Sequence, residues 1–418
     1  MRLALSLFFC LQLFSSLGQQ YPYRETISKL CSPEFAGRGY VDEGSTKAAN
    51  LIAAAFQKMG LQPFKKKFLQ PFTLSVQTFP GACTFVLGND TLQPGVDYLV
   101  EPSSAGVQPQ EYQLVYCNTA TLYRSINAFK PCPKDRILVV QTSGFGGDTN
   151  KIMLARLQEL KQFAATIELT DKKLTWSVSQ TASPYPAFQV LISACKNKAQ
   201  KAFIEVESNF IDKFTANNVI GYLPAAQNAK KKPYIVITAH YDHLGKMGRD
   251  TYFPGANDNA SGVGMLLYLA QELSLKRDPN FNYVFIAFGA EEAGLVGSHY
   301  YVEHPLFDLK QIRFLLNTDI MGSGEEGITV VNATLFDKEF QQLKAMNEDG
   351  KYIAQVKSRG PAANSDHYFF TEKGVPAFFV YTMGPNKHYH DIEDRAEELS
   401  YAAFEPLAQL LLKFVRSF

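Results

Sequence analysis

Five scattered stretches of this chain place metal-binding side chain types where a fold could gather them. Four close apolar, β-branched or aromatic runs: YIVITAH ends at His240, NYVFIAFGAEE at Glu291 and Glu292, IRFLLNTD at Asp319, and PAFFVYTMGPNKHYH at His390. The fifth, GANDNASGVG, sets Asp258 at the start of an expected helix. Strands buried in a parallel sheet read as continuous apolar runs, and open α/β sheets bind ligands just beyond the carboxyl ends of their strands. Two histidines and four carboxylates brought to one such edge describe a site for two divalent metals.

Each position taken singly has a bland explanation. His240 and Asp242 fit a structural hydrogen-bonded pair, and Asp258 fits a helix N-cap, which stabilises by about 1 kcal/mol. Asp319 before Met321-Gly322 fits a turn, and His390 in a polar loop fits a solvated histidine. The Glu291-Glu292 pair is harder to dismiss, because it follows YVFIAFGA, where a buried charge is costly without partners. A division of labour accounts for it: one glutamate binds metal while the other stays unligated and accepts a proton from the metal-bound water. A metal-bound imidazole usually donates its other N–H to an oxygen, and Asp242 stands close enough to His240 to receive it. His243 is read as a supporting residue or pocket wall. Asp258, held at a helix start with both oxygens available, suits a bridge between two ions. Two divalent ions against Asp258, Glu292 and Asp319 leave room for one bridging hydroxide, with bound water acidified toward about pH 7. Histidine and carboxylate without thiolate suit zinc, with cobalt or manganese as alternatives.

Other catalytic patterns are missing. There is no H-E-x-x-H, no G-x-S-x-G elbow and no phosphate-cradling glycine loop. Thr238 stands where an H-x-H-x-D-H metal motif would need its first histidine.

These residues require a scaffold of alternating strands and helices. STKAANLIAAAFQKMG from Ser45 has helical spacing and stops at Gly60. From about Phe72 to Phe214 the texture turns to short strands and turns without histidine. That stretch includes RILVV ending near Val140, a helix candidate from Lys151 to Gln162, and the strand PAFQVLIS. From Asn218 the apolar runs return and alternate with helices through to the C-terminal AAFEPLAQLLLKFVRSF. The expected architecture is α/β, a mixed and mostly parallel sheet sandwiched by helices. Residues 19–71 and 215–418 would form it, and residues 72–214 would be a β-rich insertion.

The bulk numbers agree with that picture. A chain of 418 residues exceeds one ordinary core, and 46% hydrophobic with 19% charged residues is globular. A net charge of +1 gives no reason to expect nucleic acid or acidic lipid as a partner. Met1-Arg2, the apolar LALSLFFCLQLF and the small residues to Gly18 have the order of a secretory signal peptide over residues 1–18. Export to the periplasm or the extracellular space follows, with no stable membrane insertion once that segment is removed. Export permits disulfides, and removal of the leader leaves Cys31, Cys83, Cys117, Cys132 and Cys195, an odd number. Cys117–Cys132 is one available pairing, and none of the five has metal-ligand spacing.

The motif series as a whole resembles metallopeptidase family twenty-eight, the di-zinc aminopeptidase group. The resemblance is carried by HYDHLG at His240, GANDNASG around Asp258, FGAEEAGLVGS around Glu291, NTDIMG at Asp319, SDHYFF at Asp366 and YHDIED at His390. LCSPEFAGRG at Leu30–Gly39 is similar to that family's N-terminal segment, and the insertion loosely resembles a protease-associated domain. The resemblance implies that His240 and Asp319 hold one zinc, Glu292 and His390 the other, and that Asp258 bridges them. It further implies Glu291 as general base, Tyr389 as hydrogen-bond donor to a tetrahedral oxyanion, and Asp242 as the residue orienting His240. Ser365, Asp366 and His367 would belong to the pocket wall. The implied substrates are peptides, cut at the N-terminus. Two enzymes of the same fold remain open at this point: a glutaminyl-peptide cyclotransferase, and a carboxypeptidase anchored by a basic residue such as Arg359.

Overall fold

The computed structural model describes residues 21–118, 135–141, 163–195 and 198–418. The expected leader, the helix candidate Lys151–Gln162 and Cys132 lie outside the described residues.

The apolar runs identified above form the centre of an eight-stranded sheet. Across it the strands run 69–78, 209–223, 282–288, 234–240, 312–319, 377–382, 328–331 and 356–358. Tyr234–His240 lies parallel to both Asn282–Phe288 and Ile312–Asp319, and the latter is parallel to Ala377–Thr382. Four adjacent strands therefore point the same way, and their carboxyl ends share one edge. The outer pairings are antiparallel, except for the short parallel pair 328–331 and 356–358.

Strand alternation sorts the side chains into two layers. Ile235, Ile237, Tyr283, Phe285, Phe314, Leu316, Phe378 and Val380 face a large core built with helices Tyr23–Leu30, Gly44–Lys58, Ser261–Leu275, Asp337–Gly350 and Phe404–Val415. Val236, Val284, Ile286 and Leu315 face the opposite layer, where Tyr301 and Phe370 come from helices Val296–Glu303 and His367–Glu372. Helix Ser261–Leu275 is apolar on nearly every side, and Met265, Leu266, Leu267 and Leu269 are wholly buried. A helix hydrophobic all round must be enclosed all round. It packs against strands Tyr234–His240 and Ile312–Asp319, which fixes its N-terminus near their carboxyl ends.

A second sheet has the strand order 90–92, 83–87, 201–206, 107–118, 136–141, 165–170, 187–191 and 98–100. RILVV becomes Arg136–Gln141 and PAFQVLIS becomes Ala187–Leu191. This sheet spans residues 83–206, within the range expected for the insertion. The flanking segments 72–78 and 209–214 belong to the first sheet, as parts of the paired strands 69–78 and 209–223. The second sheet has its own core, with Phe85, Tyr98, Ile137, Ile167 and Phe188, and that core runs into Leu244, Met247 and Phe253 beside the strand ending at His240.

Arg38 holds the N-terminal segment to this frame. Its side chain is fully buried and donates to the carbonyl oxygens of Leu30, Tyr241, Pro254 and Gly255. A buried guanidinium needs every N–H occupied, and backbone oxygens around the Asp258 loop supply the acceptors.

Candidate metal centre

The edge formed by the four parallel strands gathers the residues from all five stretches. Asp258 stands at the middle: its Oδ1 lies 3.3 Å from His240 Nε2 and its Oδ2 3.2 Å from His390 Nε2. Asp319 Oδ2 is 3.5 Å from His240 Nε2, and Glu292 Oε2 is 3.1 Å from His390 Nε2. Glu291 comes within 4.0 Å of His240 from the pocket side. His240, Asp258, Glu291, Glu292, Asp319 and Tyr389 line a single cavity of about 300 Å³, together with Ile320, Arg359, Asn364, Phe379 and Tyr381.

The chain leaves the strands abruptly. Ala290, Ile320 and His390 have φ of 58°, 54° and 58°, the left-handed region that non-glycine residues avoid. For the β-branched Ile320 this is a true outlier. Such backbone persists only where its surroundings over-determine it. Here it turns Glu291, Asp319 and His390 away from the sheet and toward Asp258. Gly255 also has φ of 58°, and a Cβ there would sit 2.3 Å from both the Asp258 carbonyl oxygen and His243 Cδ2. Only glycine fits.

Supporting contacts surround the cluster. Asp394, fully buried, accepts from the backbone N–H groups of Asn257 and Asp258 at 2.9 and 3.0 Å. The Asp242 carboxylate accepts from the N–H groups of Glu291 and Glu292 at 3.0 and 3.3 Å. The nearest contact of Asp242 to His240 Nδ1 is its backbone oxygen, at 3.2 Å, with a carboxylate oxygen at 3.8 Å. Asp242 thus faces both the imidazole and the glutamate turn. His243 Nδ1 contacts Glu292 Oε1 at 2.7 Å. Ser365 donates to Asp319 Oδ2 at 3.2 Å and itself accepts from Asn317. Ser365, Asp366 and His367 are buried behind the cavity, whose wall is formed at that point by Asn364.

The electrostatics show a cluster short of positive charge. Burial opposes charge on His240 and His390, yet the carboxylates around them reverse the effect. His240 is pushed well above the usual imidazole range and His390 to about 11. Burial raises Glu291, and Glu292, Asp366 and Asp319 add to it, so its carboxyl is held well above the ordinary range. Burial also disfavours ionised Glu292, but His390 and His243 outweigh it and bring that carboxyl down to about 2.

Divalent cations fit this site. Asp319 Oδ1 and His390 Nε2 are buried without a hydrogen-bond partner among the described residues. Two groups, His240–Asp258–Glu292 and His240–Glu291–Asp319, present ligand atoms within 4.8 Å of one another. An all-oxygen and imidazole donor set suits zinc.

Sequence reasoning did not find Arg38, Asp394 or Trp176 as parts of the site. Trp176, in the segment following strand Ala165–Thr170, accepts on its backbone oxygen from His390 Nδ1 at 2.8 Å. No local motif marks such a contact, because the acceptor is a main-chain atom far away in sequence.

A helix-sandwiched mixed sheet with histidines and carboxylates converging beyond its parallel strands is an arrangement suited to hydrolysis assisted by divalent metal. Residues 218–415 match the model of Peptidase family M28, so this part of the chain is a Peptidase M28 family domain. Over 404 residues it is 26% identical to Aminopeptidase YwaD of Bacillus subtilis (strain 168), covering 92% of this chain and 81% of that protein. Over 178 residues it is 30% identical to Probable lipoprotein aminopeptidase LpqL of Mycobacterium tuberculosis (strain ATCC 25618 / H37Rv), covering 39% of this chain and 34% of that one. Among solved structures it is similar to BSAP, a zinc aminopeptidase from Bacillus subtilis, with TM-score 0.69 and 21% identity over 94% of this chain and 93% of that chain. An aminopeptidase from Aneurinibacillus sp. strain AM-1 gives TM-score 0.63 and 22% identity over 94% and 92%. At these identities the structural likeness is one of fold.

Proposed function

We propose that this chain is a secreted, zinc-dependent aminopeptidase that hydrolyses N-terminal residues from peptides. The observation that carries the reading is the placement of Asp258, with one carboxylate oxygen toward His240 and the other toward His390. The chain's similarity to the aminopeptidases YwaD and LpqL supports it, as does its likeness to the zinc aminopeptidase BSAP. Secretion rests on the order of residues 1–18 alone. Among the described residues no helix is long and apolar enough to cross a membrane.

In this reading His240 and Asp319 would hold one zinc, Glu292 and His390 the other, and Asp258 would serve both. When bound, two zinc ions would supply Lewis acidity, lowering the pKa of water toward about 7 and polarising the scissile carbonyl. Glu291, partly buried among acids, accepts the proton of the attacking water and delivers it to the leaving amine. Asp242 keeps the Glu291–Glu292 turn in place through its two backbone bonds. Tyr389 stacks on His390 with ring centroids 3.8 Å apart and lines the cavity, where its hydroxyl can donate to the developing oxyanion.

One observation favours a second reading. Arg359 lines the same cavity and donates to Tyr381 Oη at 3.1 Å, which would suit a substrate carboxylate and hence a carboxypeptidase. A panel of aminoacyl-coumarins, glutaminyl peptides and C-terminally labelled peptides separates the readings. N-terminal release that stops with chelator and returns with zinc is expected. Release from the C-terminus only, cyclisation of glutaminyl peptides without hydrolysis, or indifference to chelator would each overturn the proposal.

A further inference from the structure

The segment after strand Ala165–Thr170 leaves the second sheet and crosses to the candidate metal centre before returning at Ala187–Leu191. Its contacts there are with the two loops that carry His390 and Glu292. Trp176 and His390 form a reciprocal pair: Trp176 N–H donates to the His390 carbonyl at 3.1 Å, and His390 Nδ1 meets the Trp176 carbonyl at 2.8 Å. A carbonyl can only accept, so Nδ1 carries a proton, and Nε2 is the nitrogen turned toward Asp258 and Glu292. Lys173 Nζ donates to the Tyr389 and Lys387 carbonyls and pairs with Asp391 at 2.7 Å. Gln180 Nε2 donates to the Ala293 carbonyl at 2.7 Å, on the glutamate loop.

The Trp176 carbonyl is itself well anchored. Trp176 is 5% exposed, and its indole stacks on Phe253 at 4.7 Å and donates from Nε1 to the Val100 carbonyl at 2.8 Å. His390 needs such an anchor, because its left-handed backbone is not self-supporting.

We propose that the segment 171–183 is a positioning element for the metal centre, in which Lys173 and the Trp176 carbonyl fix the tautomer and direction of His390. The second sheet therefore contributes to metal affinity at the His390 side. The inference rests on the reading of His390 as a zinc ligand, and the test separates the two.

Zinc binding to the full chain is measured by competition with a chromophoric chelator for wild type, Lys173→Met and Lys173→Arg. Wild type takes up two zinc ions per chain; failure to do so would overturn the metal-ligand reading itself. Lys173→Met is expected to weaken one ion by about 10- to 100-fold and leave the other unchanged, with Lys173→Arg restoring it. The melting temperature of chelator-treated Lys173→Met should equal that of chelator-treated wild type. As the one tryptophan in the chain, Trp176 gives a second readout, since Co²⁺ bound at His390 should quench its emission. The quenching midpoint should shift in Lys173→Met by the same factor as the zinc affinity. Unchanged zinc affinities in Lys173→Met would overturn the proposal, as would equal weakening of both ions together with a lower melting temperature.

Discussion

Glu291 and Glu292 are neighbours in the chain with opposite acid strengths. Glu292, beside His390 and His243, is held as a strong acid, whereas Glu291 faces other carboxylates and keeps its proton more readily. Where environments push two titratable groups apart, they separate the ligand from the proton carrier. Glu291→Gln preserves shape and removes the basic oxygen. The expected result is a fall in kcat of about 10²- to 10⁴-fold with zinc content unchanged, read by steady-state kinetics and metal analysis. Wild-type turnover in that variant would remove Glu291 from the proposed role. His240, Glu291, Glu292 and Asp319 were legible because each follows a run too apolar to tolerate an unpartnered charge. Arg38 and Trp176 were not legible, since the acceptors in these contacts are backbone carbonyls that carry no side-chain signature.

At the scale of elements, the central strands could be read because a strand covered on both faces leaves no polar positions to interrupt the run. Helix Ser261–Leu275 was legible for the same reason, and its burial ties stability to site geometry. Leu266→Ala should cost about 2–5 kcal/mol in denaturant unfolding, through lost transfer energy and a cavity that the sheet cannot collapse to fill. A cost under about 1 kcal/mol would mean that the helix is less tightly enclosed than described. The outer strands Leu69–Thr78 and Asn209–Leu223 were harder to place. Their far halves, around Ser75 and Asp212, carry polar residues against solvent, so composition alone did not distinguish them from the strands that follow. The left-handed turns after Phe288 and at Asp319-Ile320 were also hidden, because they fall on alanine and isoleucine rather than glycine.

For the whole molecule, the metal centre joins four strands, a helix start and a crossing from the second sheet, so bound cations should stabilise the entire fold. With zinc at about 100 times its Kd, linkage gives about 3 kcal/mol, and chelation should lower the melting temperature by roughly 5 °C. Calorimetry with and without chelator checks this, and identical transitions would mean the cations are not linked to folding.

Thr78 pairs directly with Asn209, so the polypeptide departs for the second sheet and comes back at a single rung of the ladder. The ends of that excursion are held one strand spacing apart whatever lies between them. Closure entropy grows only slowly with loop length, so insertions and deletions on the far side of the second sheet should leave the pairing of the first almost untouched. Homologous chains can therefore lengthen or trim that region freely, provided the crossing back to His390 is kept.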